Sequence, residues 1–471
     1  MAMTRIEHDL LGERAVPAEH YYGVQTLRAL ENFAITDTPI SHYPHLIRSL
    51  AYIKKSAALA NRDLGLLSPP LAEAIIRACD EIIAGGLLGE FVVDVVQGGA
   101  GTSTNMNANE VIANRALEIL GHARGQYEIL HPLNHVNLSQ STNDVYPSAL
   151  RLTLSLMMDS LMSEMENLRV SLEAKSVEFA DVIKMGRTQL QDAVPMTLGQ
   201  EFGAWAVMVG EDIQRVQEAQ QLIREINMGA TAIGTGLNAP PDYASLVTKY
   251  LREVSGIPVL MSKNLVEATQ DTGAYVQLSG VLKRVAVKIS KICNDLRLLS
   301  SGPRAGLHEI NLPPMAPGSS IMPGKVNPII PEVVNQVAFE VIGNDLTVTM
   351  AAEAGQLELD VMEPVISYSL FSSLDILGRA CRTLTERCIR GITANREVCR
   401  SMVEHSIGLV TALNPLLGYE KSTEIAREAI ASGRSVYEIV LEKKYLTKAE
   451  LDDVLSPENM TRPRYIHKHT D

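Results

Sequence analysis

Leu278, Leu282, Val285, Ile289, Ile292, Leu296 and Leu299 follow one another at intervals of 4, 3, 4, 3, 4 and 3 residues. A strand, whose side chains alternate with period two, would scatter these residues over both faces. On a helix they form one continuous seam, of the kind that packs nearly parallel to neighbouring helices. Leu150, Leu154, Met157, Leu161, Met165, Leu168 and Leu172 make a second such stripe. Further helices are predicted at about 199–226, 330–352 and 363–391, and five helices of this length specify a bundle. The stripes establish a mainly α architecture and say nothing yet about chemistry.

The core must be filled by aliphatic side chains and methionine, because aromatics make up only 4% of the chain and Trp205 is its one tryptophan. This suits helix-on-helix packing better than a sandwich of sheets. With 471 residues the chain has room for two or three domains. Three blocks are expected: 1–140, with helices and glycine-rich loops; 141–395, the long-helix block; and 396–471, a smaller mixed segment. A formal net charge of −13, without any basic run, argues against nucleic acid and anionic membrane as partners. No apolar run approaches the ~20 residues of a membrane-spanning helix. The opening MAMTRIEHDLLGERAVP is too interrupted by charge for a secretory signal. The five cysteines are scattered without a C-x-x-C pair, which suggests buried thiols in a reducing compartment and no metal site. A cytoplasmic protein is expected.

In a helical protein of this kind the chemistry belongs to the loops. Four share a composition of hydroxyls, amides and glycine: GTSTNMN (101–107), QSTND (140–144), GRTQLQD (186–192) and GSSIMPGKVN (318–327). Each is expected near a helix start, where free N–H groups and the helix dipole favour anions. Each could equally be an ordinary cap or turn, since Ser, Thr, Asn and Asp are the usual capping residues. Four such loops in one chain, one of them with Lys325 between Gly324 and Asn327, point to a polyanionic small molecule. A nucleotide-binding phosphate loop is excluded by spacing. Five residues separate Gly318 from Gly324 where the motif has four, and Val326 stands where Ser or Thr would hold magnesium.

The stretch GSSIMPGKVNP resembles the signature loop of the fumarase/aspartase superfamily, whose members eliminate across a C–C bond to release fumarate. DLLGERAVPAEHYYGVQT, GGAGTSTNMNANE, HVNLSQSTND, MGRTQLQDAVPMTLGQE, ATAIGTGLN, SSGPRAGL and GNDLTVTMAAEAGQLELDVMEPV extend the likeness over nearly the whole chain, toward its ammonia-eliminating branch. The resemblance implies a three-domain, mainly α fold with a central five-helix bundle, assembling into a homotetramer with a twenty-helix core. It implies reversible elimination of ammonia from L-aspartate to give fumarate, with no cofactor. Geometry points the same way on assembly. Ser141 precedes and Thr188 follows a helix of about 30 residues, on the order of 45 Å long, so a shared substrate needs a second subunit.

By resemblance Ser319 is the catalytic base, an alkoxide removing the proton next to a carboxylate to form an aci-carboxylate. Turn N–H groups and the Lys325 ammonium are its expected stabilisers. Thr102, Ser141, Thr142 and Ser320 resemble the donors to that carboxylate, Lys325 and Asn327 the pair on the other carboxylate. Asn143, Thr188 and Gln189 resemble the pocket around the amino group. Arg187 has no assigned role and reads as structural.

Two positions depart from the related fumarases. Gln189 stands where fumarases, and some aspartases, have a histidine; in fumarases that histidine pairs with a glutamate matched here by Glu332. Ammonium leaves already protonated, whereas hydroxide needs an acid, so Gln189 favours deamination over the alternative of a class II fumarase acting on L-malate. QSTND and MEPV point the same way. The second departure, Asp360 where relatives have asparagine, adds a charge near a helix start. Ala431-Ser432-Gly433 is the tripeptide that aromatic ammonia-lyases cyclise, but it ends a helical run, where Gly433 reads as a C-terminal cap. Reuse of the scaffold as a structural crystallin would allow loss of Ser319 or Lys325, and both are present.

Overall fold

The computed structural model describes residues 3–463, and these form two compact units. One comprises the described residues up to Ser163, with Gln214–Ala286 and Phe339–Gly378; the other comprises Glu164–Ile213, Val287–Ala338 and the described residues from Arg379 onward. All five predicted long helices are present: Thr142–Glu178, Leu198–Ile223, Gly273–Leu299, Ile329–Glu353 and Glu363–Arg387. The 278–299 seam is buried throughout, with six of its seven residues at most 2% exposed. In the other stripe Met158 takes the buried position that spacing gave to Met157. A true helical period of 3.6 drifts from a strict 3.5 repeat, and the seam moves over by one residue.

Two helix ends differ from expectation. The second long helix stops at Ile223, because Glu225–Ile226 pairs in parallel with Leu260–Met261 and takes the backbone out of the helix. The last stops at Arg387 and tightens into a 3-10 turn at Ile389–Gly391.

In the first unit an antiparallel hairpin, Thr4–Asp9 with Gly12–Pro17, precedes a layer of helices. Pro44–Asp63 packs on Pro69–Ile83 and on Tyr243–Ser255, and Thr102–Ile119 packs on Pro69–Ile83. Hydrogen bonds tie the long helices side by side: Gln220 Nε2 donates to Ser155 O (2.9 Å) and Ser279 Oγ to Asp345 (2.8 Å). In the second unit Asn335 Nδ2 donates to Ser290 O (3.0 Å). That unit also contains the hairpin Ile183–Thr188/Gln191–Thr197, whose Met185 joins Val403, Leu413, Ile425, Ile439 and Leu451 in a separate apolar core under the C-terminal helices. The five cysteines are buried and unpaired. Gly433 ends the helix Tyr419–Ser432 in the left-handed conformation, as a cap. Among the described residues no helix is long and apolar enough to cross a membrane.

Candidate active site

The ten candidate site residues fall into two groups, one in each unit. The first group is Thr102, Ser141, Thr142 and Asn143. Thr102 opens the helix Thr102–Ile119, and the residue before it, Gly101, has φ +85°. A Cβ at Gly101 would lie 2.3 Å from the Tyr146 ring, so no other residue fits there. The Thr102 hydroxyl donates its one hydrogen to Gly99 O (2.7 Å), so the donor role expected of it toward a carboxylate requires that bond to break.

At the start of helix Thr142–Glu178, the Ser141 hydroxyl accepts from the Asn143 N–H (3.2 Å), an N-cap contact. The Thr142 hydroxyl accepts from Asn105 Nδ2 (3.0 Å). Each hydroxyl has one hydrogen, and both are left to donate elsewhere. Asn143 is turned the other way. Its Nδ2 donates to Ala232 O (2.8 Å), which directs its carbonyl oxygen away as an acceptor. Two hydroxyl donors beside one amide acceptor suit a carboxylate and an ammonium on adjacent positions of one small molecule.

A buried polar network holds this arrangement. Lys54, fully buried, donates to Asn137 Oδ1 and Gln140 Oε1 (both 2.9 Å); Asn137 also receives Asn105 Nδ2 (3.2 Å). Asp144, equally buried, accepts from the N–H groups of Ser141 (3.0 Å), Gly229 (3.1 Å) and Thr231 (3.0 Å). Burial pushes the Lys54 ammonium down to about 7, against the pull of Asp144. It pushes the Asp144 carboxyl up to about 7, against those same N–H groups. Sequence reasoning missed Lys54, Asn105 and Asp144. The available signal was the run of asparagines in Thr102–Ile119, where Asn105, Asn107, Asn109 and Asn114 are all buried. Buried amides inside a helix need partners, and partners imply a network.

The second group is Thr188, Gln189, Ser319, Ser320, Lys325 and Asn327. GRTQLQD does not lie at a helix start as expected. It forms the tip of the hairpin, with Thr188 paired to Gln191 and only Gln189 and Leu190 in the turn. Both turn residues have left-handed φ, +54° and +61°. Such a turn suits Asn-Gly, and each side chain here costs on the order of 1 kcal/mol. Strain of this kind persists only where the surroundings over-determine it, and it clusters at functional sites. Arg187 is held by an ion pair to Glu309 (2.6 Å), in keeping with its structural reading.

Residues 318–327 form a loop closed at its neck. Gly318 N–H donates to Lys325 O (2.8 Å) and Asn327 Nδ2 to Gly318 O (2.7 Å). The second bond leaves Asn327 one amide hydrogen for a ligand. Ser319 follows the neck directly. Its hydroxyl oxygen accepts two backbone N–H bonds, from Ile321 (3.2 Å) and Met322 (3.0 Å). Two donors on one hydroxyl oxygen stabilise negative charge there, each by ~1.5–3 kcal/mol once the oxygen is an anion. None of residues 318–326 is buried. Helix Ile329–Glu353 begins two residues after Asn327.

Asp360 is buried, with its carboxylate accepting from Met362 N–H (2.9 Å) and Thr272 Oγ1 (3.2 Å) just before helix Glu363–Arg387. An asparagine could meet the first contact as an acceptor, and nothing in the structure explains the extra charge.

Residues 12–343 match a family model described as lyase, and 409–462 match one described as the fumarase C C-terminus. An aspartate ammonia-lyase of Helicobacter pylori strain J99 is 62% identical over 467 residues, covering 99% of this chain and 100% of that protein. The aspartate ammonia-lyase of Escherichia coli K12 is 56% identical, covering 99% and 98%. Among solved structures, a fumarate lyase/delta crystallin from Brucella melitensis bound to cobalt superposes with TM-score 0.96 at 57% identity, covering 98% of this chain and 100% of that one. A class II fumarase from Schistosoma mansoni superposes at 0.93 with 35% identity, covering 98% and 100%. With the bundle, the signature loop and these relatives in agreement, the chain belongs to the fumarase/aspartase superfamily, in its aspartate ammonia-lyase branch, and is a carbon–nitrogen lyase.

Proposed function

We propose that this enzyme reversibly eliminates ammonia from L-aspartate to give fumarate, with Ser319 as the base. The Ser319 alkoxide removes a proton from the carbon next to one carboxylate, and the electron pair moves into that carboxylate as an aci-carboxylate dianion. Collapse of the dianion forms the C=C bond and expels the amino group as neutral ammonia. Ser141, Thr142 and Ser320 serve the charge-accumulating carboxylate, joined by Thr102 once its hydroxyl turns from Gly99 O; Lys325 and Asn327 serve the distant carboxylate, and Asn143, Thr188 and Gln189 the amino group. No acid is assigned, because the leaving group arrives protonated.

The observation that carries this reading is the pair of N–H groups, from Ile321 and Met322, aimed at the Ser319 oxygen. They offer ~3–6 kcal/mol to an alkoxide, equal to ~2–4 pKa units. That is too little alone to bring a hydroxyl to neutrality, so Lys325 and the bound substrate complete the activation. The names of the relatives and Gln189 support deamination over dehydration. The test is turnover of L-aspartate against L-malate, followed by fumarate absorbance. Aspartate alone should be converted, and comparable malate turnover would reassign the chain as a fumarase.

The working form is a homotetramer with shared sites. Helix Thr142–Glu178 has 37 residues, about 55 Å, between the loop carrying Ser141 and the strand carrying Thr188. Phe339, Ile342, Leu346 and Met350 form an apolar stripe along Ile329–Glu353 that one chain leaves 63%, 37%, 62% and 65% exposed. Mixing inactive Ser141→Ala and Thr188→Ala chains should restore activity if the two loops come from different subunits. No recovery on remixing, with tetramers re-formed, would refute this.

A further inference from the structure

We propose that the buried carboxylate of Glu309 is a positioning residue that fixes the hairpin tip carrying Thr188 and Gln189, and so sets how tightly the substrate's amino group is held. The inference rests on the reading of that tip as part of the amino-group pocket. Glu309 is 0% exposed, and its own backbone is pinned on both sides. Its N–H donates to Leu299 O (2.9 Å), and its carbonyl accepts from Asn395 N–H (2.9 Å). The backbone that carries the carboxylate is therefore fixed.

It binds two cations of one strand: Arg187 Nη1 at 2.6 Å and Lys184 Nζ at 3.1 Å. Residues three apart on a regular strand face opposite ways. Here the register shifts between Met185 and Arg187, and the bulge brings both cations to the same carboxylate. Lys184 also binds Glu201 (2.6 Å), so two cations balance two carboxylates.

The clamp lies one residue from the functional tip. Arg187 pairs across the hairpin with Asp192, and the next pair, Thr188 with Gln191, closes the turn. Asp192 is held in its own right by the Ser406 hydroxyl (2.7 Å). Both legs of the hairpin are thus anchored directly beneath two residues in left-handed backbone. Such a turn keeps its shape only while its base cannot move. Loss of the Glu309 charge frees Arg187, and the tip relaxes away from the substrate.

The test compares L-aspartate with succinate, a dicarboxylate without the amino group, on the full-length enzyme. Glu309→Gln should raise the KM for L-aspartate about tenfold and leave the inhibition constant of succinate within about twofold. Arg187→Gln, at a partly exposed position, should do the same if Glu309→Gln fails to fold. Combined in one chain, the two changes should raise the KM for L-aspartate no further than Glu309→Gln alone, because that change already breaks the contact to Arg187 along with the one to Lys184. A merely structural role would lower thermal stability and shift both ligands equally, and that result would overturn the proposal. Thr188→Ala is the control. If it shifts the aspartate-to-succinate ratio and the Glu309 and Arg187 variants do not, the positioning role alone is wrong. If it leaves the ratio unchanged, the amino-pocket reading falls and the proposal falls with it.

Discussion

A single methyl group at Gly318 should disable the signature loop without loosening the protein. Gly318 does not occupy the left-handed region, so alanine is acceptable to its backbone and the effect is purely steric. The added Cβ would lie 2.4 Å from Lys325 O and 2.9 Å from Asn327 N, both backbone atoms that cannot rotate aside. The neck must open, and with it go the bonds Gly318 N–H to Lys325 O and Asn327 Nδ2 to Gly318 O. At about 1 kcal/mol net for each, the closed loop loses about 2 kcal/mol, or about thirtyfold in population. Both Ser319 and Lys325 hang from that neck, so kcat/KM for L-aspartate should fall by about the same thirtyfold factor. Because none of residues 318–326 is buried and the chain is long, the melting temperature should fall by no more than about 2 °C. Steady-state fumarate formation beside a thermal melt measures both quantities. Full activity in Gly318→Ala would show that the neck does not set the site, and a parallel loss of stability would show that the loop belongs to the core.

Other expectations follow from the same contacts. Lys325→Ala should weaken succinate binding at least about tenfold by calorimetry, since a carboxylate loses its cationic partner; unchanged affinity would remove Lys325 from the binding site. Leu190→Asn should raise thermal stability, because asparagine tolerates the left-handed φ of +61° better than leucine does; no gain would mean that the turn is unstrained. Burial raises the Glu363 carboxyl to about 8, where it faces Arg151, Asp360 and the rings of Tyr146 and Tyr275. A raised folded-state pKa gives stability that is full below the unfolded value and lost as pH rises through the folded one. The melting temperature should therefore fall between about pH 4.5 and about pH 8, and Glu363→Gln should flatten that fall. An equal slope in both proteins would rule out Glu363 as its source.

The bundle was legible because its signal is periodic and collective. Seven residues at 4-3 spacing define a face whatever happens locally, and the one slip, Met158 for Met157, is the drift of a real helix against an ideal repeat. Helix ends were less legible. Nothing local in Arg224–Ile226 announces that Leu260–Met261 will pair with it. The same holds within the site. The loops were visible from hydroxyls, amides and glycine, and in one of them two backbone N–H groups point at the Ser319 oxygen. GRTQLQD misled, because a two-residue hairpin normally advertises itself with Asn-Gly, and Gln189-Leu190 hides the turn behind residues that dislike it. Lys54, Asp144 and Glu309 were invisible for a different reason. Each acts through at least one partner roughly 80 to 120 positions away in sequence, a separation that no spacing rule spans.

The claim on which the account stands is that Ser319 touches the reacting carbon and does little else. Ser319→Ala on L-aspartate, with succinate affinity measured on the same preparation, tests it most directly. A catalytic base at this position predicts a kcat at least about 100-fold lower with succinate bound as tightly as before. A kcat within about threefold of the parent enzyme, or a loss of succinate binding equal to the loss of rate, would contradict it.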